Sequence, residues 1–243
     1  NIDHYNKIPG HQDIQDDKKR IAIQYSLPKW LVDHWVTHYG LEQTEAIAQS
    51  FLEPVATTVR ANITRGSIDD IISALEKESY IVDRDDVLPF CLHISGKPIV
   101  NSRAFKDGLV SIQDKSSMFV AHIMDLNRND SVLDACSAPG GKACHIAEIL
   151  SPEGHVDATD IHDHKIKLID FNIRKLRLKN IEAYQHDATE PYVTQYDKIL
   201  VDAPCSGFGV LRHKPEIKYT QSKNSIQSLV ELQLQIVENV KHN

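Results

Sequence analysis

The sequence predicts an α/β protein, a doubly wound parallel sheet preceded by a small α+β module. From Ser116 onward, apolar stretches of strand length alternate with helical stretches, the pattern of a parallel sheet with crossover helices. Two of these strands run into short loops rich in Gly, Pro and Cys, Cys136–Lys142 and Asp202–Gly207. Between Pro28 and Ile112 the pattern differs, with capped helices and alternating strands but no strand–helix regularity.

Residues 1–24 are polar and mixed in charge, with Pro9-Gly10 and Asp16-Asp17-Lys18-Lys19-Arg20, and read as a linker. A helix follows Pro28, with Trp30, Leu31, His34, Trp35 and His38 at helical spacing and Gly40 as its stop. A second helix runs from near Glu42 to Leu52, ended by Pro54. Val55, Thr57, Val59, Ala61 and Ile63 alternate as in a strand. Ser67, with Asp70 three residues on, caps a helix whose apolar side is Ile68, Ile71, Ile72 and Leu75. Strands near Leu88–Ile94 and Leu109–Ile112 complete the module, taken as residues 25–112. Trp30, Trp35 and Tyr39 read as core rather than as platforms for stacked bases.

The second domain, 113–243, is expected to contain a helix from Ser116, strand 131–136, helix 142–150, strand 155–160 and helix 163–178. Strands 181–186 and 197–202 and a helix near 222–240 follow, with turns at Ser151-Pro152-Glu153-Gly154 and Asn180. In such a fold the last helix feeds a further parallel strand; without it strand 197–202 keeps an unpaired apolar edge. The C-terminal strands are therefore expected to be missing, and the absent initiator Met hints at a longer parent.

Hydrophobic residues make up 41% of the 243, and no 18-residue apolar run could span a membrane. No signal peptide is visible at Asn1-Ile2-Asp3-His4. The four cysteines fit a reducing cytoplasm, and their spacings form no zinc pattern, so no metal is expected. His162 and His164 read as solvated loop residues. The net charge of −7 argues mildly against nucleic-acid binding, but cations cluster. Lys165, Lys167, Arg174, Lys175, Arg177 and Lys179 read as a solvated helix face. Arg212 and Lys214, with Lys218 and Lys223, follow the second loop and are the better RNA-contact candidates.

The first loop excludes the commoner nucleotide motifs. A P-loop needs glycine at 136 and Ser or Thr at 143, where Cys136 and Ala143 stand, and the dinucleotide fingerprint needs three spaced glycines. A nucleoside without polyphosphate fits, and S-adenosylmethionine is the expected ligand. Its binding residues are Cys136, Ser137, Ala138, Pro139, Gly140, Gly141 and Lys142, the glycines admitting the ligand to the backbone. Asp160, ending the second strand, would accept from ribose hydroxyls, and Asp187, after the third, would meet the adenine amine. Asp202, at the end of the fourth, joins this set.

The motifs Asp134-x-Cys136-x-Ala138-Pro139-Gly140-Gly141-Lys142 and Asp202-Ala203-Pro204-Cys205-Ser206-Gly207-x-Gly209-x-x-Arg212 closely resemble those of the RNA cytosine-C5 methyltransferases, most nearly the bacterial Sun/Fmu type that acts on 16S ribosomal RNA of the small subunit. Tyr25-Ser26-x-Pro28-x-Trp30-Leu31-Val32 and Ser111-Ile112-Gln113-Asp114-x-Ser116-Ser117 support the resemblance. It implies a Rossmann-like S-adenosylmethionine-dependent domain, a module similar to an RNA-recognition motif, and a preceding helical RNA-binding domain absent here. It also implies methyl transfer to cytosine C5 through a cysteine–C6 adduct. The protein is expected to be a cytoplasmic monomer. Asp202 would contact N3 and the exocyclic amine of the base. DNA cytosine methyltransferases use the Pro-Cys of this loop as nucleophile. The RNA family uses a later Thr-Cys, so Cys205 is assigned to product release and the nucleophile is expected beyond Asn243. Lys142 would bind an RNA phosphate or the catalytic loop. The competing readings are a non-catalytic RNA- or cofactor-binding module and a methyltransferase acting on transfer RNA or DNA.

Overall fold

A computed structural model describes residues 14–52, 56–150, 152–220 and 222–243. Pro54, Ser151 and the first thirteen residues of the expected linker lie outside them. The chain runs through α1 (Asp17–Gln24), α2 (Lys29–Ser50), β1 (Thr57–Ala61), α3 (Ile68–Lys77), β2 (Ile81–Arg84), β3 (Cys91–Ser95), α4 (Arg103–Lys106) and β4 (Val110–Ile112). It continues with α5 (Lys115–Ile123), β5 (Ser131–Asp134), α6 (Gly141–Leu150), β6 (His155–Asp160), α7 (Asp163–Leu176) and β7 (Ile181–Gln185). Then come β8 (Lys198–Leu200), a 3₁₀ turn (Phe208–Val210), α8 (Ile217–Thr220) and α9 (Lys223–Val240). Two compact units result, Asn1–Val55 with Cys205–Leu229, and Ala56–Pro204 with Val230–Asn243.

In the first unit, Ile21 of α1 is buried with Leu31, Val32, Trp35 and Ala48 of α2 and with Leu211. The stretch read as linker therefore contains a folded helix. Asp16 caps it, accepting from the Lys18 and Lys19 amides at 3.0 and 3.1 Å. Arg20 clamps it to α2 by two bonds to Glu45, at 2.6 and 2.8 Å. A helix with one buried side chain carries no apolar period to read. Gly40 does break α2, at φ 78° and ψ 171°. Trp35 is buried and Trp30 meets Phe208 edge-on at 5.7 Å, both core as expected, whereas Tyr39 is exposed.

The second unit holds two sheets. The first is antiparallel, in the order β2-β3-β1-β4. On it lies α3, whose Ser67 cap accepts from the Asp70 amide at 3.1 Å and which buries Ile71 and Leu75. β2 is an edge strand with largely exposed side chains, so it lacks the alternation that would have revealed it. β3 starts at Cys91 rather than Leu88, because Asp85 accepts from the Val87 and Leu88 amides at 2.9 Å and holds them in a turn.

The other sheet is wholly parallel, in the order β7-β6-β5-β8. Val132, Ala143, Ile146, Val156 and Ile169 build the core between strands, α6 and α7. Leu133 and Ala135 pack in a separate cluster with Tyr192 and with Ile236 and Val240 of α9. The strand order turns back between β5 and β8, where doubly wound sheets open a ligand crevice at the carboxyl ends. Among the described residues, β5 is the one strand paired with β8, and no helix is long and apolar enough to cross a membrane.

Candidate active site

β5 delivers the first loop because Val132 and Leu133 are buried and Gly140 turns the chain at φ 95°. A Cβ at Gly140 would sit 3.0 Å from Ile169 Cγ2 and 3.3 Å from Ile169 Cα. The close approach of α7 and the positive φ by themselves require glycine at 140. A Cβ at Gly141 would meet nothing within 4 Å, so that side of the loop is open. The Ser137 amide donates to Thr159 O at 2.8 Å, and Asn172 Nδ2 donates to Pro139 O at 2.9 Å. Ser137, Ala138 and Pro139 are held between β6 and α7 in this way.

At the carboxyl ends of the strands lies a cavity of about 370 Å³. Cys136, Asp160 and Asp187 line it, together with His162, Lys165 and the apolar Ile236. Its volume falls within the usual range for small-molecule sites, about 300–1,000 Å³. Asp160 is buried at the end of β6, accepting from the His162 amide at 3.1 Å and from Lys165 at 3.4 Å. Asp187 accepts from the Thr189 amide at 2.9 Å and its hydroxyl at 2.8 Å, contacts that hold its carboxyl below the usual range. Lys165 and His162 were not expected here; their position just after Asp160 was the available signal. Ile236 arrives from α9, and no local pattern reveals it.

The second loop is joined to the first by an ion pair of Lys142 with Asp202, residues sixty apart in sequence. Lys142 of the first loop thus reaches Asp202 of the second. Cys205 is exposed. Burial pushes the Cys136 and Cys144 thiols up to about 12 and raises that of Cys91, so none of these three is a thiolate near neutrality. Arg212 donates to the Ser50 carbonyl, and Lys214 is exposed.

Asp134, which the sequence does not single out as a site residue, ends β5 beside the cavity-lining Ala135. It is 1% exposed, and neither carboxylate oxygen has a hydrogen-bond partner among the described residues; the buried Ser137 hydroxyl lacks one too. Burial pushes this carboxyl up to about 7, a rise opposed by Ser137 and Lys142 and increased by Asp202. Its place as the first acid of the motif was the signal, but a strand-ending acid reads as part of the strand. Among the described residues, two groups of metal-type ligands also occur, Asp85–Cys91–His93 and His155–Asp157–Glu182. In the first, Lys115 occupies Asp85 at 2.6 Å; in the second, Tyr196 donates to Asp157 at 2.6 Å.

A parallel sheet in this order, with a glycine loop after its first strand and acids after the next two, defines a Rossmann-like S-adenosylmethionine-dependent methyltransferase fold. Residues 121–243 match the family model described as 16S rRNA methyltransferase RsmB/F, and residues 27–101 match the ferredoxin-like domain of RsmF/B-like methyltransferases. The chain belongs to this RsmB/F family. A probable ribosomal RNA small subunit methyltransferase B of Bacillus subtilis is 39% identical over 237 residues, 96% of this chain and 53% of the relative. Ribosomal RNA small subunit methyltransferase B of Shewanella oneidensis is 33% identical over 224 residues, 89% of this chain and 51% of the relative. The chain thus spans about half the length of these curated relatives. Among solved structures, NSun6 from Pyrococcus horikoshii with SFG superposes with a TM-score of 0.81 at 20% identity, covering 88% of this chain and 79% of that one. A methyltransferase homolog from the same organism gives 0.79 at 23% identity, covering 93% of this chain and 72% of that one.

Proposed function

We propose that this chain binds S-adenosylmethionine and forms the catalytic part of a methyltransferase acting on cytosine C5 in 16S ribosomal RNA. The observation that carries the reading is the cavity at the carboxyl ends of β5–β7, bounded by the motif loop and by carboxylates. The residues fit the cofactor. Asp134 is a buried acid without a partner beside the cavity-lining Ala135 and Cys136, suited to an ammonium group, and Asp160 suits the ribose hydroxyls. Asp187 is the proposed adenine contact. When bound, the cofactor would supply an electrophilic methyl on a sulfonium.

C5 of cytosine is a weak nucleophile. Addition of a thiolate to C6 makes C5 enamine-like; C5 takes the methyl, a base removes the C5 proton, and the C6–S bond breaks to release the thiolate. Asp202, held by Lys142, would contact N3 and the exocyclic amine. Cys205 is proposed to assist release, with the attacking thiol supplied from beyond residue 243. Cys91 and Cys144 are buried and Cys136 is half-buried, all three with raised thiols, which supports this assignment. The ferredoxin-like module, Arg212 and Lys214 are the proposed RNA contacts, and the target base must leave its stack to react.

Calorimetry with S-adenosylmethionine tests the first half. Wild-type protein is expected to bind, and Asp160→Ala to bind about tenfold more weakly. Absence of binding by folded wild-type protein overturns the proposal. RNA affinity without cofactor affinity identifies a non-catalytic RNA-binding module. Methyl transfer is assayed with a chain extended to the length of its relatives, on 16S ribosomal RNA, transfer RNA and duplex DNA. Label only on transfer RNA or DNA refutes the ribosomal assignment.

A further inference from the structure

Arg60 lies in β1, outside both motif loops, and it is among the most deeply buried side chains, 1% exposed. Its guanidinium reaches three residues in two segments, Gln113 and the two α6 residues Gly141 and Glu148. Nε donates to Glu148 Oε2 at 2.9 Å, and Nη2 donates to Glu148 Oε1 at 2.8 Å, a bidentate pair to α6. Nη1 donates to the side-chain oxygen of Gln113 and, at 3.0 Å, to the carbonyl of Gly141. Gly141 is the last glycine of the motif loop and the first residue of α6. Gln113 belongs to the Ser111–Ser117 motif and is itself fixed to β1, its carbonyl accepting from the Thr58 hydroxyl at 2.8 Å.

A buried pair of this kind is not in general a net source of stability, because desolvating both charges offsets their attraction. The bond to Gly141 is different in kind. A cation fixes the backbone carbonyl of Gly141, the loop position whose Cβ side is open. Arg60 has the planar fork needed for all three partners; a lysine ammonium does not. The same face of the ferredoxin-like module meets α6 and α7 elsewhere. Asn62 Nδ2 donates to Leu176 O at 3.2 Å, and Phe90 lies edge-on to His145 at 4.7 Å.

We propose that Arg60 is a positioning residue for the cofactor loop: anchored to Glu148 and Gln113, it fixes Gly141 to the ferredoxin-like module. The module is then part of the cofactor site's frame, and the Gln113 motif has a role that the chemistry of the two loops does not account for. The proposal rests on cofactor binding at this loop, and the test separates the two.

Two variants and one control are compared with wild type. The double variant Arg60→Met with Glu148→Leu removes the pair without leaving a buried charge, so the fold is expected to survive. Arg60→Lys keeps the charge but not the fork. Glu45→Gln breaks the unrelated Arg20–Glu45 pair and serves as the stability control. Folding is monitored by thermal melting, cofactor affinity by calorimetry, and loop order by hydrogen exchange at residues 140–145 without ligand. Both Arg60 variants are expected to bind S-adenosylmethionine about tenfold more weakly, the worth of one charge-assisted hydrogen bond. Their loop amides should exchange faster, while Glu45→Gln lowers the melting temperature without changing affinity or loop exchange. A folded double variant with wild-type loop exchange and wild-type affinity overturns the proposal. If wild type itself does not bind, the cofactor reading falls, and unchanged exchange in the ligand-free variants still decides the positioning role.

Discussion

Replacing Asp134 by asparagine should make the ligand-free protein more stable at pH 8 than the wild type, relative to the same comparison near pH 4. In the folded state burial raises this carboxyl from 3.8 to about 7. Between those values the unfolded chain has released the proton while the folded chain retains it, so stability falls as pH rises and levels off above the folded value. A rise of about 3 units, at about 1.36 kcal/mol per unit, amounts to roughly 4 kcal/mol of destabilisation once Asp134 is ionised. The side chain is 1% exposed, so solvent does not screen this cost. Asparagine does not ionise, so the difference in unfolding free energy between variant and wild type should climb by that amount from pH 4 to pH 8. Urea unfolding across this range measures it, and titrations common to both proteins cancel in the difference. A flat difference curve would refute the buried, unpartnered state of Asp134. Calorimetry adds a second arm: Asp134→Asn should bind S-adenosylmethionine more weakly while being the more stable protein.

Gly140→Ala should cost about 2 kcal/mol, from positive φ and contact with Ile169, whereas Gly141→Ala should leave thermal stability nearly unchanged. Equal melting temperatures for the two variants would contradict the packing role given to Gly140. Lys142→Met should cost less than about 1 kcal/mol, since Asp202 is largely exposed, yet should abolish methyl transfer in the extended protein. Retained transfer would free Asp202 from dependence on Lys142. RNA carrying 5-fluorocytidine, which blocks elimination, should trap an adduct with the extended protein that survives Cys205→Ala, and none with residues 1–243 alone. An adduct with the short chain that Cys205→Ala abolishes would make Cys205 the nucleophile.

Much of the fold was legible because the decisive signals are local. Gly40 breaks its helix, Ser67 caps the next, and the strand periods recover β5, β6 and β7 to within two residues. What escaped depends on distance. α1 is held by an arginine whose partner is 25 residues away, and β2 is an exposed edge strand that shows no alternation. Arg60 is unreadable as a functional residue without the fold, because its carboxylate partner is 88 positions downstream.

The acids show the same limit within the site itself. Spacing places a carboxylate after each parallel strand, but it cannot tell which are already engaged. Asp187 is engaged by its own turn through Thr189, Asp202 by Lys142, and Asp160 in part by His162 and Lys165. Asp134 alone among these four keeps both oxygens buried and unpartnered. An orphaned buried acid costs free energy in the empty site and returns it when a donor arrives. The acid with most to gain from a cationic ligand is therefore the one that strand periodicity assigned to the sheet. The three that spacing singled out already have donors of their own, and a ligand gains less by meeting them.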